Sequence, residues 1–169
     1  MKRLSIFILA VFFTAASVIA SENPDKGKET KDIVTLAAQT DILSTLVTAV
    51  KQGDLVATLK AEGPYTVFAP TNEAFEALPD GVLSALLKPE NKSKLVQVLT
   101  YHVVMGELTA DELTDGQIAT TAEGSNINIA KSYGNVKIND AKVVKPNVMA
   151  SNGVVHVIDK VILPPDFKL

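Results

Sequence analysis

NGVVHVIDKVILPP, residues Asn152 to Pro165, is the stretch whose reading decides the fold. Asn152-Gly153 accepts positive φ and makes a tight turn at little cost. Behind it come Val154, Val155, Val157, Ile158, Val161, Ile162 and Leu163, interrupted only by His156, Asp159 and Lys160. Side chains alternate between the two faces of a strand, and here both sets are largely apolar. Val154, Ile158 and Ile162 share one face; Val155, Val157, Val161 and Leu163 share the other. A strand wetted on one side would carry polar residues there, so this one is expected to be central and covered on both faces. Pro164-Pro165 is expected to end it, because proline cannot donate to a ladder.

Upstream of this strand, from Asp115-Gly116 onward, the apolar period is two. Ile118, Ile127, Ile129, Val136, Ile138, Val143 and Val144 fall in short strands. Glu123-Gly124, Tyr133-Gly134-Asn135 and Asn139-Asp140 separate them as turns. The first half reads differently. Ile33, Leu36 and Ala37 share one helical face, and Ile42, Leu43, Leu46, Val47 and Val50 recur at spacings of three and four. Leu55, Val56 and Leu59 make a further helical turn, as does VLSALL after Pro79-Asp80-Gly81. Asp41, Thr71 and Asn91 are placed as N-caps, and Thr109 to Glu112 matches a capping box. Two strands interrupt the helices, Tyr65–Ala69 and a strand-like Tyr101–Met105. Helices gathered first and antiparallel strands afterwards predict an α+β domain, not an alternating βαβ chain.

The 169 residues suit one domain with a real core. Lys2 and Arg3, the apolar run Leu4–Phe13 and the small residue Ala20 read as a secretory signal peptide over residues 1–20. Residues 21–31, SENPDKGKETK, have nothing to bury and read as a flexible linker; the domain is placed at 32–165 and a short tail at 166–169. Loss of the leader takes away Lys2 and Arg3, leaving 14 basic residues against 19 acidic ones, a charge of −5. Dispersed lysines on a mildly acidic chain offer no stripe for nucleic acid phosphates. The leader's apolar run is short for a membrane span, so no integral span is expected after processing. With no cysteine in the chain, disulfides and thiolate chemistry are excluded, and packing alone must hold the fold.

Taken in order, these pieces resemble a fasciclin (FAS1) domain over roughly Asp32 to Pro165. Three blocks carry the resemblance: YTVFAPTNEAF at Tyr65–Phe75, Leu99-Thr100-Tyr101-His102, and NGVVHVIDKVILPP itself. The resemblance implies a wedge-shaped β-sandwich of about seven strands with flanking N-terminal helices. It also implies a secreted, non-catalytic module, extracellular or periplasmic, that mediates adhesion or contact with a protein or polysaccharide on a cell surface or matrix. A single domain behind a signal peptide is similar to the small secreted bacterial members. By the same resemblance, Tyr101-His102 matches one motif proposed for integrin binding. Asn147 and Val148 stand where animal relatives carry Asp-Ile, so the carboxylate of that motif is missing here.

The residues themselves offer no catalytic constellation, and no enzyme is expected. His102 and His156 are the only histidines, too few for a zinc site without carboxylates beside them, and they read as structural, hydrogen-bonded core residues. No G-x-S-x-G elbow or phosphate-binding glycine loop occurs. Asp111-Glu112 is explained by capping and Glu73-Glu76 by a solvated helix face. Neither catalytic residues, cofactors nor metal ligands are therefore assigned. Thr71 and Asn72, after Pro70, are expected to cap a helix and to tie this corner to a neighbouring loop. Two alternatives stay open: a small-ligand or polysaccharide-binding carrier, the former needing an apolar cavity, and a glycan hydrolase, which needs two carboxylates about 5–9.5 Å apart. The exposed segments Glu107–Gly116 and Lys131–Asn135 are the places where a partner is expected to be met.

Overall fold

A computed structural model describes residues 31–168. The leader assigned to 1–20, the linker up to residue 30 and the last tail residue lie outside the described residues. Six helices and seven strands follow in order. They are α1 (Ile33–Ala38), α2 (Ser44–Gln52), α3 (Val56–Lys60), β1 (Tyr65–Pro70), α4 (Asn72–Glu76), α5 (Val82–Leu86), α6 (Lys92–Tyr101) and β2 (Val103–Met105). Then come β3 (Gln117–Thr120), β4 (Asn126–Ser132), β5 (Asn135–Ile138), β6 (Ala141–Ala150) and β7 (Gly153–Ile158). This is the α+β order expected from the hydrophobic period.

The strands form one mixed ladder in the order β2-β1-β7-β6-β5-β4-β3. β7 is the hub: every residue from Gly153 to Ile158 is buried. It pairs antiparallel with β6 and, contrary to an all-antiparallel C-terminal half, parallel with β1, matching Phe68 to His156. β6 pairs with β5 through Ala141 and Lys142 and with β7 from Val143 onward, with register shifts on either side of Lys145. Such bulges bend and twist a strand, and here they turn the sheet over on itself. The outermost strand β2 then meets the residue just after β3 at an isolated bridge, Val104 to Thr121. The sandwich is thus one sheet folded over.

Two cores follow from the alternation along β7. Val155 and Val157, with Val67, Ala69 and Val103, face the helices and pack on Ile33, Leu46, Val50 and Leu99. Ile158 and Phe68 point inside the folded sheet among Ile127, Ile129, Ile138 and Leu113. Beyond the strand the same parity persists, since Ile162 joins the inner core while Val161 and Leu163 pack on the helical one. The strand itself is shorter than expected: it stops at Ile158, not at Pro164. β1 ends opposite Ile158, whose carbonyl accepts from Thr71 N at 3.1 Å. On the other side Asp159 closes the ladder with Lys142, accepting its N–H at 2.7 Å and donating its own at 3.0 Å.

Further corrections concern the helix ends. Tyr101-His102 does not begin a strand: Tyr101 is the last residue of α6 and His102 its C-cap. Asp41 lies inside a 3-10 turn and caps nothing with its side chain. The start of α2 is capped from outside, by Asn72, whose Oδ1 accepts from Thr45 N at 3.0 Å and Ser44 Oγ at 3.2 Å while Nδ2 donates to Asp41 O at 2.9 Å. Asn91 reaches back to α5 instead of capping α6, donating to Ala85 O at 2.8 Å. Thr71 does cap α4, accepting from Ala74 N at 3.2 Å.

In β3 the register pairs Ala119 with Ile127, so Ala119 turns inward and Ile118 stands exposed. Asn152, read as a turn residue, is also a cross-link. Its Oδ1 accepts from Ile33 N at 3.1 Å, at the start of α1, and its Nδ2 donates to Leu59 O at 2.7 Å, in α3. Next to it Gly153 is obligatory, because a Cβ there would lie 1.9 Å from Tyr65 O.

Candidate interaction surface

The loop between β2 and β3, residues 106–116, is built from short-range rules and then pinned from below. Glu112 closes the capping box, its Oε2 accepting from Thr109 N and Oγ1, both at 2.9 Å. The Thr109 bonds hold its carboxyl below the usual carboxylate range. Under the loop, buried Thr66 donates to Gly106 O at 2.7 Å and accepts from Leu108 N at 2.8 Å. His156 donates from Nε2 to Leu108 O at 2.7 Å, and its Nδ1 accepts the Asn147 N–H at 3.3 Å. That second bond fixes the tautomer: Nδ1 is unprotonated, so Nε2 carries the hydrogen. Its ring stacks on Phe68 with centroids 5.7 Å apart. Burial lowers the pKa of His156, and the Leu108 carbonyl partly opposes this.

Asn147 sits at the β6 irregularity with φ of 53°, a left-handed conformation that asparagine tolerates. Its Oδ1 accepts from Ala110 N at 2.7 Å, so this side chain is spent holding the loop. Val148 is half-buried and packs against the helical core. Lys131 performs the matching task from β4. Its ammonium donates to Ala110 O at 2.8 Å and Leu113 O at 3.0 Å, and its N–H donates to Asp115 Oδ1 at 2.9 Å. The segments Glu107–Gly116 and Lys131–Asn135 are therefore one surface, not two. Its rim carries the exposed carboxylates of Glu107, Asp111, Glu112 and Asp115, and Tyr133 stands fully exposed at the β4–β5 turn.

Tyr101 and His102 lie in the interior, each 2 % exposed. The Tyr101 hydroxyl donates to Asn126 O at 3.1 Å and accepts from Asn139 Nδ2 at 3.1 Å. His102 Nε2 accepts the Ile162 N–H at 3.1 Å, so Nδ1 carries the hydrogen and donates to Val98 O at 2.8 Å. Burial pushes its pKa down to about 4, against the raising effect of the Val98 carbonyl. The arrangement does not bring Tyr101 or His102 together with Asn147. The sequence reading places Lys131 at the edge of an exposed segment and Thr66 in a strand, but the pinning roles of both are invisible there, since one lysine and one threonine carry no local signal of a long-range bond. Among the described residues no three His, Asp or Glu side chains gather to hold a metal ion. An apolar cavity between the helices and β1, lined by Val34, Leu46, Val50, Leu59 and Leu99, measures about 30 Å3, room for about one water and not for an organic ligand.

A helix-flanked, folded-over seven-strand sheet with this motif order defines the class: the Fasciclin domain family matches residues 41–164, and the chain belongs to that family. Protein sll1483 of Synechocystis sp. is 56 % identical over 133 residues, covering 79 % of this chain and 73 % of that protein. The immunogenic protein MPB70 of Mycobacterium bovis is 36 % identical over 141 residues, 80 % of this chain and 70 % of that one. Human periostin is 34 % identical over 129 residues, which are 76 % of this chain and only 15 % of periostin. Among solved structures, the FAS1 domain pair of the insect cell adhesion molecule Fasciclin I superposes with a TM-score of 0.70 at 18 % identity, covering 79 % of this chain and 51 % of the pair. No helix among the described residues is long and apolar enough to cross a membrane.

Proposed function

We propose that this chain is an exported, non-catalytic adhesion module that meets a protein or polysaccharide of a cell surface or matrix through the 106–116 loop and the β4–β5 turn. The observation that carries the reading is the pinning of that loop. Thr66, His156, Asn147 and Lys131 hold a stretch without regular structure in one shape. A preformed surface keeps the ordering cost of binding low. Tyr133 offers a fully exposed aromatic side chain, the residue type that dominates binding energy at interfaces. The four rim carboxylates favour a partner with basic groups, and at the modest mature charge, contact is expected to survive moderate salt.

Deleting the gene and adding back purified protein tests this reading. Attachment to a surface or matrix is expected to fall and to be restored by the parent chain, but poorly by Tyr133→Ala. Unchanged attachment on deletion leaves the adhesion reading without support. Export through the general secretory route with cleavage after Ala20 is part of the same proposal. The mass of the mature protein should begin at Ser21, and an intact Met1 in an envelope-bound form refutes that step.

A further inference from the structure

A second recess lies at the other end of β4, between its first residues, the β5–β6 turn and residues 160–165. It measures about 820 Å3, within the roughly 300–1,000 Å3 of small-molecule sites. Its lining includes the polar residues Asn126, Asn128, Asn139, Asp140 and Lys160. Val161, Leu163 and Pro165, the first two only partly buried, add apolar surface to the same lining. Its base is fixed by a network that runs through Asn139. With φ of 51°, Asn139 donates its N–H to Asn128 O at 2.8 Å and accepts the Asn128 N–H on Oδ1 at 2.9 Å. Its Nδ2 reaches the Tyr101 hydroxyl, which in turn bonds Asn126 O. The amide side chain of Asn128 stands exposed above this network.

The chemistry of the lining selects a ligand class. One carboxylate and one ammonium cancel, so neither a polyanion nor a polycation is favoured over a neutral molecule. Primary amides both donate and accept, as hydroxyl groups do. A lining that mixes amides with apolar surface suits a molecule with hydroxyls on its edges and C–H groups on its faces. Tyr101 is too buried to serve as a stacking platform for a base. We propose that this cleft binds a neutral saccharide, a short stretch of a polysaccharide chain. The site is separate from the loop surface, which uses the far end of β4, so either assignment can fail alone.

Titrating the isotope-labelled full chain with maltotriose, cellotriose and dextran sulfate, followed by amide NMR, tests the assignment. At least one neutral trisaccharide is expected to give saturable shifts centred on 126–128, 139–141 and 160–165, insensitive to added salt. Asn128→Ala is expected to weaken that binding about fivefold, the loss of one neutral hydrogen bond, without lowering the melting temperature. Tyr133→Ala is expected to leave it unchanged. The proposal is overturned if neither neutral sugar gives saturable shifts at tens of millimolar, if only dextran sulfate binds, or if the shifts map elsewhere.

Discussion

Acid should weaken this protein through His102 before its carboxylates matter. The ring is buried, donates from Nδ1 to Val98 O and accepts the Ile162 N–H on Nε2. Protonation would set a second N–H against the Ile162 N–H and leave a charge in an apolar interior. Burial accordingly lowers the folded pKa to about 4, from the 6.5 of a solvated imidazole. A histidine depressed in this way stabilises the fold fully above its unfolded value. Between 6.5 and about 4 the unfolded chain takes up a proton that the folded chain refuses, so stability falls with pH across that window and levels off below it. At about 1.4 kcal/mol per pH unit, the full loss is about 3 kcal/mol, a large fraction of the roughly 5–15 kcal/mol that holds a typical domain. His156, also depressed by burial, adds to the loss in the same direction.

Urea denaturation at pH 7, 6, 5 and 4.5 measures this directly. The unfolding free energy should drop steadily, with an unchanged m-value. His102→Gln should be less stable at pH 7 yet flatter with pH. The depressed carboxyls of Asp32, Glu112 and Glu123 lose their contribution only as pH falls through their own unfolded values near 4 and below, so they do not mimic the effect. A His102 imidazole seen by NMR to titrate near 6.5 in the folded protein, or an unfolding free energy flat from pH 7 to 4.5, refutes the reasoning.

Other perturbations have equally definite outcomes. Gly153→Ala forces a Cβ into the Tyr65 carbonyl at 1.9 Å and should separate β7 from β1, seen as loss of folded protein or a melting temperature far below the parent. Val157→Asp sets an unpaired carboxylate between β7 and the helices and should cost several kcal/mol by chemical denaturation; parental melting would remove β7 from the core. Asn152→Ala deletes the links to Ile33 N, Leu59 O and Ala61 O and should cost about 1–3 kcal/mol, with hydrogen exchange rising first in α1 and α3. Lys131→Met keeps the side-chain length, removes the bonds to Ala110 O and Leu113 O, and should raise amide exchange in 107–116 while barely changing global stability.

The sequence discloses what depends on local pattern. The parity of β7 is visible because both faces are apolar, and even the sides taken by Val161, Ile162 and Leu163 follow from it. Thr71 as a cap and Asn72 as a corner tie are visible because proline stops β1 just before them. What depends on long-range register is hidden. Ile118 is more apolar than Ala119, yet pairing with β4 turns the alanine inward. Tyr101-His102 reads as strand because Val103 and Val104 follow it, although α6 runs one turn further and packs the tyrosine inside. The parallel union of β1 and β7 leaves no mark at all, since each strand alone would pair either way. The loop surface was half legible: its two segments are exposed and polar, but only the Lys131 ammonium shows that they are one.

Why asparagines recur at so many junctions follows from what the chain lacks. Without cysteine, segments distant in sequence must be joined by groups that leave no charge in the interior and offer both a donor and an acceptor. A primary amide meets both conditions. Asn72 joins the start of α4 to α2, Asn152 joins the β6–β7 turn to α1 and α3, Asn147 joins β6 to the loop, and Asn139 joins the β5–β6 turn to α6. The two histidines do the same deeper inside, His102 to Ile162 N and His156 to Leu108 O. Hydrogen bonds of this kind stabilise by only about 1 kcal/mol each, so their effect lies less in total stability than in register: each one fixes where an otherwise irregular segment sits. The residues that carry the family resemblance are thereby committed to placing loops. Under the two proposals made above, recognition falls to exposed side chains such as Tyr133 and Asn128, which lie outside those cross-links.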